Sequence, residues 1–285
     1  MSLLALALVL LSAFLHATWN LLAKRVSRGA PFVWLFAVCS SVLFAPAAAF
    51  VIIRERPVLG LPEITLIAGS AALHLGYMLA LQRGYRSGDL SLVYPLARGS
   101  GPVLAVLAAV VLFGERPGPV AITGAALVVL GAFVLAGGEK LFLHGRRRAT
   151  AYGLLTGLFI ASYTITDAHG VSRLAIHPLI LLWSSELLRA LMLTPHVYSR
   201  FDEVREVWRN HRRAVLAVSV LSPLAYLLVL SALLFTPVSY VAPVREVSIL
   251  FGAALGAGFL GEGQWQRRLI AAGVMVAGVA ALTLG

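Results

Sequence analysis

Ten runs of apolar residues divide the chain: 3 to 23, 31 to 53, 62 to 82, 90 to 113, 118 to 137, 151 to 172, 178 to 197, 214 to 235, 238 to 260 and 268 to 284. Each is about 17 to 24 residues long, enough for a helix to cross ~30 Å of hydrocarbon. None alternates apolar and polar residues as a barrel strand does, and an open sheet cannot exist in lipid. The pattern predicts ten transmembrane helices and an all-α polytopic membrane protein.

Polar punctuation marks the ends. Arg54-Glu55-Arg56-Pro57 closes the second run, Gly114-Glu115-Arg116-Pro117 the fourth and Gly261-Glu262-Gly263 the ninth. Longer links lie at Glu139 to Thr150 and Ser199 to Arg213. The second of these, with Asp202, Glu203, Arg205, Glu206, Trp208 and Arg209, reads as a short interfacial helix that holds its charges at the membrane surface. No Lys or Arg precedes Leu3 to Leu15 and no small-residue cleavage site follows it, so this run is expected to remain as the first helix rather than leave as a signal peptide.

The pattern also occurs twice. At an offset of 147 residues Arg98 falls on Arg245, Gly114-Glu115 on Gly261-Glu262, Gly131 on Gly278 and Gly138 on Gly285, and Pro95 matches Pro243 if one residue is skipped. Val26-Ser27-Arg28 returns as Val171-Ser172-Arg173, and Pro31 as Pro178. The expected division is a first five-helix repeat over 1–138, a basic linker over 139–150 and a second repeat over 151–285.

Composition agrees with the pattern. Hydrophobic residues make up 60% of the chain and charged residues 12%, and mean hydropathy is +0.90, which excludes a soluble core with a charged surface. Cys39 is the sole cysteine, so an internal disulfide and a thiolate metal cage are both ruled out. The net charge of +11 comes without a base-stacking platform, and nucleic acid is not an expected partner.

The bases have a different use. Loops after odd-numbered runs hold sixteen Lys and Arg, from Lys24 to Arg268, against Arg54, Arg56, Arg116 and Arg173 after even-numbered runs. The positive-inside rule then places the odd loops in the cytoplasm and both termini outside. Five helices per half is an odd number, so the second half enters the membrane with opposite polarity to the first. That is an inverted repeat, an architecture tied to alternating-access transport.

Two five-helix repeats, each with Gly-Glu at the end of its fourth helix, together with His16-Ala17-Thr18-Trp19-Asn20 in the first helix, resemble the EamA family of the drug/metabolite transporter superfamily. The resemblance spans essentially the whole chain, although each motif is short. It implies a ten-helix basket around a central cavity, in the inner (plasma) membrane of a bacterium, that exports or exchanges small metabolites without a cofactor. It also implies that the fifth and tenth helices form a homodimer contact or an outer scaffold.

Polar residues at membrane depth are the site candidates, because a Lys, Arg or Asp at the centre of a span costs ~2.5–3.5 kcal/mol on insertion scales unless it faces protein or water. Arg98 follows Tyr94-Pro95, and with Gly99, Gly101 and Pro102 nearby the fourth helix is expected to kink or unwind there. Its planar fork suits a carboxylate or phosphate; the alternatives are a structural pairing with a buried acid and a place near the cytoplasmic end from which it snorkels. Arg245 and Glu246 hold the matching place after Pro243.

His16, Trp19 and Asn20 share one face of the first helix, and His74, Tyr77 and Met78 follow the same spacing in the third. Tyr94, Tyr163, Trp183, Tyr226 and Tyr240 are weaker aromatic candidates. Glu186 and Arg189 stand three apart, which an internal ion pair explains without function. A carboxyl in a dry cavity can instead load and release a proton, so Asp167, near Thr164 and Thr166, Glu186 and Glu246 are the proton-coupling candidates. Gly153 with Gly157, Gly252 with Gly256, and Gly124, Gly131, Gly273 and Gly278 are expected to let helices pack closely.

There is no Gly-x-x-x-x-Gly-Lys-Ser/Thr loop, no His-Glu-x-x-His and no Gly-x-Ser-x-Gly elbow, so the chain is not expected to be an enzyme, nor to hold a metal. The reading is a secondary transporter of small amphipathic metabolites such as amino acids, with arginine taking the carboxylate and aromatic faces the apolar part. Proton-driven export of lipophilic cations, flipping of a lipid-linked intermediate and uncoupled facilitated diffusion are the alternatives.

Overall fold

A computed structural model describes the backbone of residues 1–26, 29–87, 90–135, 147–252 and 265–284, and their side chains except at 24–25, 82, 85–87, 90–92, 94–95, 132, 135, 147 and 265–269. The order is α1 (Leu3–Val26), α2 (Ala30–Glu55), α3 (Leu61–Ser87), α4 (Leu90–Phe113), α5 (Pro119–Leu135), α6 (Arg147–Ser172), α7 (Pro178–Tyr198), α8 (Phe201–Leu233), α9 (Val238–Arg245) and α10 (Trp265–Leu284). Among the described residues six helices, α1 to α4, α6 and α8, are long and apolar enough to cross a membrane, and α5 and α10 carry shorter apolar stretches.

The ends have local causes. Arg56 caps α2 in the left-handed region (φ 47°), its N–H donating to the Ile52 carbonyl, and Pro57 follows. Gly114 turns the chain out of α4 at φ +68°, a conformation that costs glycine nothing. His177 opens α7 by accepting the Leu179 N–H at 3.1 Å, with Pro178 at the first position.

Helix pairing crosses between the halves. α3 packs on α6 as α8 packs on α1, α3 meets α7 as α8 meets α2, and α4 lies on α6 as α9 lies on α1. α2 with α7 and α5 with α10 are pairs of equivalent helices. Exchanging α1–α5 for α6–α10 leaves this scheme unchanged, as an inverted repeat requires, and among the described residues most helix-to-helix packing is made between repeats rather than within them.

Loops 56–60, 114–118, 173–177 and 234–237 gather at one end of the bundle. Glu55 lies 3.9 Å from His177, the Phe113 ring sits 6.1 Å from His169, and the Glu115 carboxylate accepts the backbone N–H groups of Val238 and Ser239, each at 2.9 Å. We call this the base-poor end. The opposite, base-rich end carries residues 199–213.

Several sequence expectations need correction. α6 begins at Arg147, so the last four residues of the expected linker are helical. α4 runs unbroken from Leu90 to Phe113, and Gly101 serves close packing rather than a hinge: a Cβ there would come within 2.8 Å of Ile160, and one on Gly153, across the contact, within 2.9 Å of Leu96. The break is in the ninth span. Past Pro243 the Glu246 N–H turns to the Pro243 carbonyl (3.0 Å) and the Ile249 N–H to the Glu246 carbonyl (2.9 Å), an overwound turn before the helix resumes over 247–252. Pro243 supplies no N–H and crowds the Ser239 carbonyl, which weakens α9 just before this turn.

The expected short helix after the seventh span is 201–210, divided from the rest of α8 by non-helical backbone at His211 (φ −132°, ψ 18°). Gly124 and Gly278 do bring α5 and α10 together, since a Cβ on either would lie 2.7 Å from the other's carbonyl oxygen. Gly252 and Gly273, in contrast, have nothing among the described residues within 4 Å of such a Cβ. Gly256, Gly261 and Glu262 lie outside the described residues.

Candidate functional site

The polar residues at mid-bundle form two connected clusters. In the first, Arg98 of α4 donates to Glu246 at 3.4 Å and to His16 Nε2 of α1, with Trp19 edge-on to the His16 ring at 4.9 Å. Arg98 and Glu246 are 4% and 2% exposed. An ion pair this dry holds only when both charges stay paired.

In the second cluster Asp167 of α6, fully buried, accepts the Tyr226 hydroxyl of α8 and lies 3.0 Å from His74 Nε2 of α3, while its other oxygen has no partner among the described residues. His74 stacks on Tyr163 at 4.0 Å, and Tyr77 stands edge-on to Tyr163 at 5.7 Å. Arg245 of α9 donates to the Tyr163 hydroxyl and to Thr164 Oγ1, both at 3.4 Å, and its guanidinium sits over the Tyr226 ring at 5.8 Å.

The clusters meet at a cavity of about 10 Å³ whose walls include His16, Arg98, Tyr226, Arg245 and Ser12. That is room for about one water. The described residues thus leave little free space where the sequence resemblance implies a central cavity.

The repeat explains both the likeness of the arginines and their difference. At the offset of 147 residues Arg98 corresponds to Arg245 and His16 to Tyr163, so the contact of Arg98 with His16 recurs as that of Arg245 with Tyr163. Glu246, the acid beside Arg98, corresponds to Gly99. The position that would supply Arg245 with an acid has no side chain. Among the described residues Arg245 has no carboxylate at ion-pair distance; its bonded partners there are the neutral Tyr163 and Thr164.

Other candidates lie elsewhere. The Asn20 amide donates to the His16 carbonyl of its own helix at 2.8 Å. Trp183 donates to the Ser41 carbonyl of α2 at 2.8 Å. Glu186 and Arg189 pair with each other within α7. The side chain of Tyr94 lies outside the described residues. Tyr163 and Tyr226 stood in the sequence only as weaker aromatics, and Asn20 and Asp167 occupy equivalent positions, a hint to the second cluster that the offset could have given. Among the described residues no three His, Cys, Asp or Glu side chains converge to hold a metal ion.

The model of the EamA-like transporter family matches residues 3–137 and again 147–284. The chain belongs to the EamA-like transporter family. Its members are membrane transporters, and the two matches coincide with the two sets of five helices. One crystal structure of a protein superposes on this EamA chain with a TM-score of 0.80 at 18% identity, covering 98% of this chain and 97% of that one. At that identity the likeness establishes the fold. No curated protein matches the chain.

Proposed function

We propose that the protein is a secondary transporter of small amphipathic metabolites bearing a carboxylate, of the amino-acid class, which reach Arg245 by alternating access of the bundle centre to the two membrane faces. The observation that carries this reading is Arg245 itself: a buried guanidinium on the cavity wall whose bonded partners among the described residues are neutral. A buried cation of this kind is stabilised by an anion, and its fork matches a carboxylate. Tyr226 lies on the cavity wall with the His74 and Tyr163 rings packed against it, an aromatic surround suited to the apolar part. The broken α9 carries Arg245, and a discontinuous helix at the repeat interface is where transporters place substrate.

The same cluster favours Asp167 over Glu186 and Glu246 as carrier of a coupling proton. Glu186 and Glu246 each face an arginine, whereas the partners of Asp167 are His74 and Tyr226. An anion on Arg245 would add a negative charge on the far side of Tyr226 from Asp167. A proton taken up there restores the balance in a site where unpaired charge is costly. Substrate and proton would then travel together, with the base-rich end facing the cytoplasm of a bacterium.

Proteoliposome uptake and exchange of labelled amino acids, with and without an imposed pH gradient, is the test. Saturable flux that falls about 10- to 100-fold in Arg245→Gln, the loss of one charge-assisted contact, supports the reading. Undiminished flux of every carboxylated substrate in that variant sinks it. A second reading rests on the partner-free Asp167 oxygen beside aromatic rings, which suits a lipophilic cation. Dye export abolished by Asp167→Asn and indifferent to Arg245→Gln would favour that one.

A further inference from the structure

At the base-rich end, away from the central clusters, the break at His211 opens a cavity of about 440 Å³ between the end of α1 and α8. Arg209, Arg212 and Arg213 line it together with His211, over a floor that includes Leu22 and Val26. All three arginines are exposed, and among the described residues none is held in an ion pair. Three neighbouring guanidinium groups repel one another unless an anion or solvent screens them.

The surroundings limit what that anion is. Helix 201–210 is anchored by Val204 and Val207, buried in the cluster that contains Phe32 and Phe36, while Phe201 and Trp208 stay 45% and 39% exposed. Buried valines on one face with exposed aromatic and charged residues on the other describe a helix lying at a bilayer surface. An arginine fork pairs with phosphate oxygens through two parallel bonds. The apolar floor beneath the arginines suits the glycerol and first methylenes that follow a lipid phosphate, and basic pockets between helices at the cytoplasmic level are where anionic head groups bind.

We propose that the cavity at the His211 break is a binding site for the phosphodiester head group of an anionic membrane lipid, held by Arg209, Arg212 and Arg213. It is separate from the transport site and does not depend on which substrate that site takes. The bound lipid bridges helix 201–210 to the end of α1, so it stabilises the base-rich end of the fold.

The test is thermal unfolding of the purified full chain in neutral detergent, titrated with short-chain phosphatidylglycerol, phosphatidylcholine of the same chain length, and inorganic phosphate. A saturable rise in midpoint with phosphatidylglycerol, with little from phosphatidylcholine or phosphate, supports the site. At about fivefold in affinity per arginine, Arg209→Gln/Arg212→Gln/Arg213→Gln weakens that saturation about a hundredfold. Arg200→Gln, an exposed arginine outside the cavity, leaves it unchanged and shows that loss of charge at this end is not itself the cause. Equal effects of the two lipids, a triple variant with an unaltered response, or a response that phosphate reproduces in full overturns the proposal; the last result assigns the cavity to a free anion.

Discussion

Arg98 and Arg245 are one position written twice, and among the described residues it is Arg98 that holds the Glu246 carboxylate at ion-pair distance, although Glu246 follows Arg245 in the chain. Their first-helix partners, His16 and Tyr163, are also equivalent. The pair Glu246 and Gly99 separates them, leaving one arginine neutralised inside the protein and the other with neutral bonded partners.

That asymmetry makes the two arginines fail differently when replaced. Arg98→Met leaves the Glu246 carboxylate buried without its partner and is expected to cost about 3–5 kcal/mol of stability. Most of that loss returns in Arg98→Met/Glu246→Met. Arg245→Gln removes no such pair and folds nearly as well as the parent. Unfolding midpoints of the four proteins in detergent check this, and a double variant no more stable than Arg98→Met would contradict it.

Asp167 and Glu186 are expected to part company under a proton gradient. Asp167→Asn keeps substrate exchange at equal pH and loses accumulation driven by the gradient. Glu186→Gln/Arg189→Gln, which removes a self-contained pair, retains both. Counterflow and gradient-driven uptake measured on the same liposomes separate the two, and reversal of the pattern moves the coupling site to α7.

Glu115 gives the Gly-Glu motif a structural meaning. Its carboxylate caps α9, accepting from Val238 and Ser239, and so ties the loop after α4 to the start of the broken helix. Glu115→Ala leaves those N–H groups without this acceptor and costs about 1 kcal/mol, as helix-cap losses do; Glu115→Gln costs less, because an amide oxygen still accepts. Thermal midpoints in detergent rank the three proteins, and a Glu115→Ala protein as stable as the parent would refute the cap.

Gly124 and Gly273 make an internal control for one another. A Cβ on Gly124 meets the Gly278 carbonyl and the Leu282 nitrogen at 2.7 and 2.8 Å, so Gly124→Ala must push α5 from α10 and is expected to lose about 1–3 kcal/mol. Gly273 has open space, and Gly273→Ala gains up to about 1 kcal/mol from helix propensity. Equal midpoints for the two variants would show that the close approach is not needed.

Much of the fold was legible in the chain. Run length and punctuation gave the helices, the 147-residue offset gave their symmetry, and the charge-rich stretch after the seventh run was a helix of its own. The break was misplaced because Pro95 and Pro102 lie among glycines that look like a hinge. Gly101 instead lets α4 press against Ile160 of α6, and packing sustains a helix that composition alone would interrupt. The site was half legible. Spacing along one helix paired Glu186 with Arg189, but no periodicity joins His74 to Asp167 across 93 residues or Arg98 to Glu246 across 148. Those contacts follow from how the repeats cross.

The crossing of the repeats has a consequence for biosynthesis. When the ribosome finishes α5, α1 has no α8, α3 has no α6 and α4 has no α6, while Arg98 and His74 are already in the lipid without Glu246 and Asp167. The first half must wait, half assembled and with its polar groups provisionally solvated, until the second is inserted, and the last pair to close joins α5 to the final helix. Most of the packing between helices thus waits for the second half, and a nascent chain stalled before α9 holds Arg98 beside His16 but without the Glu246 carboxylate that neutralises it.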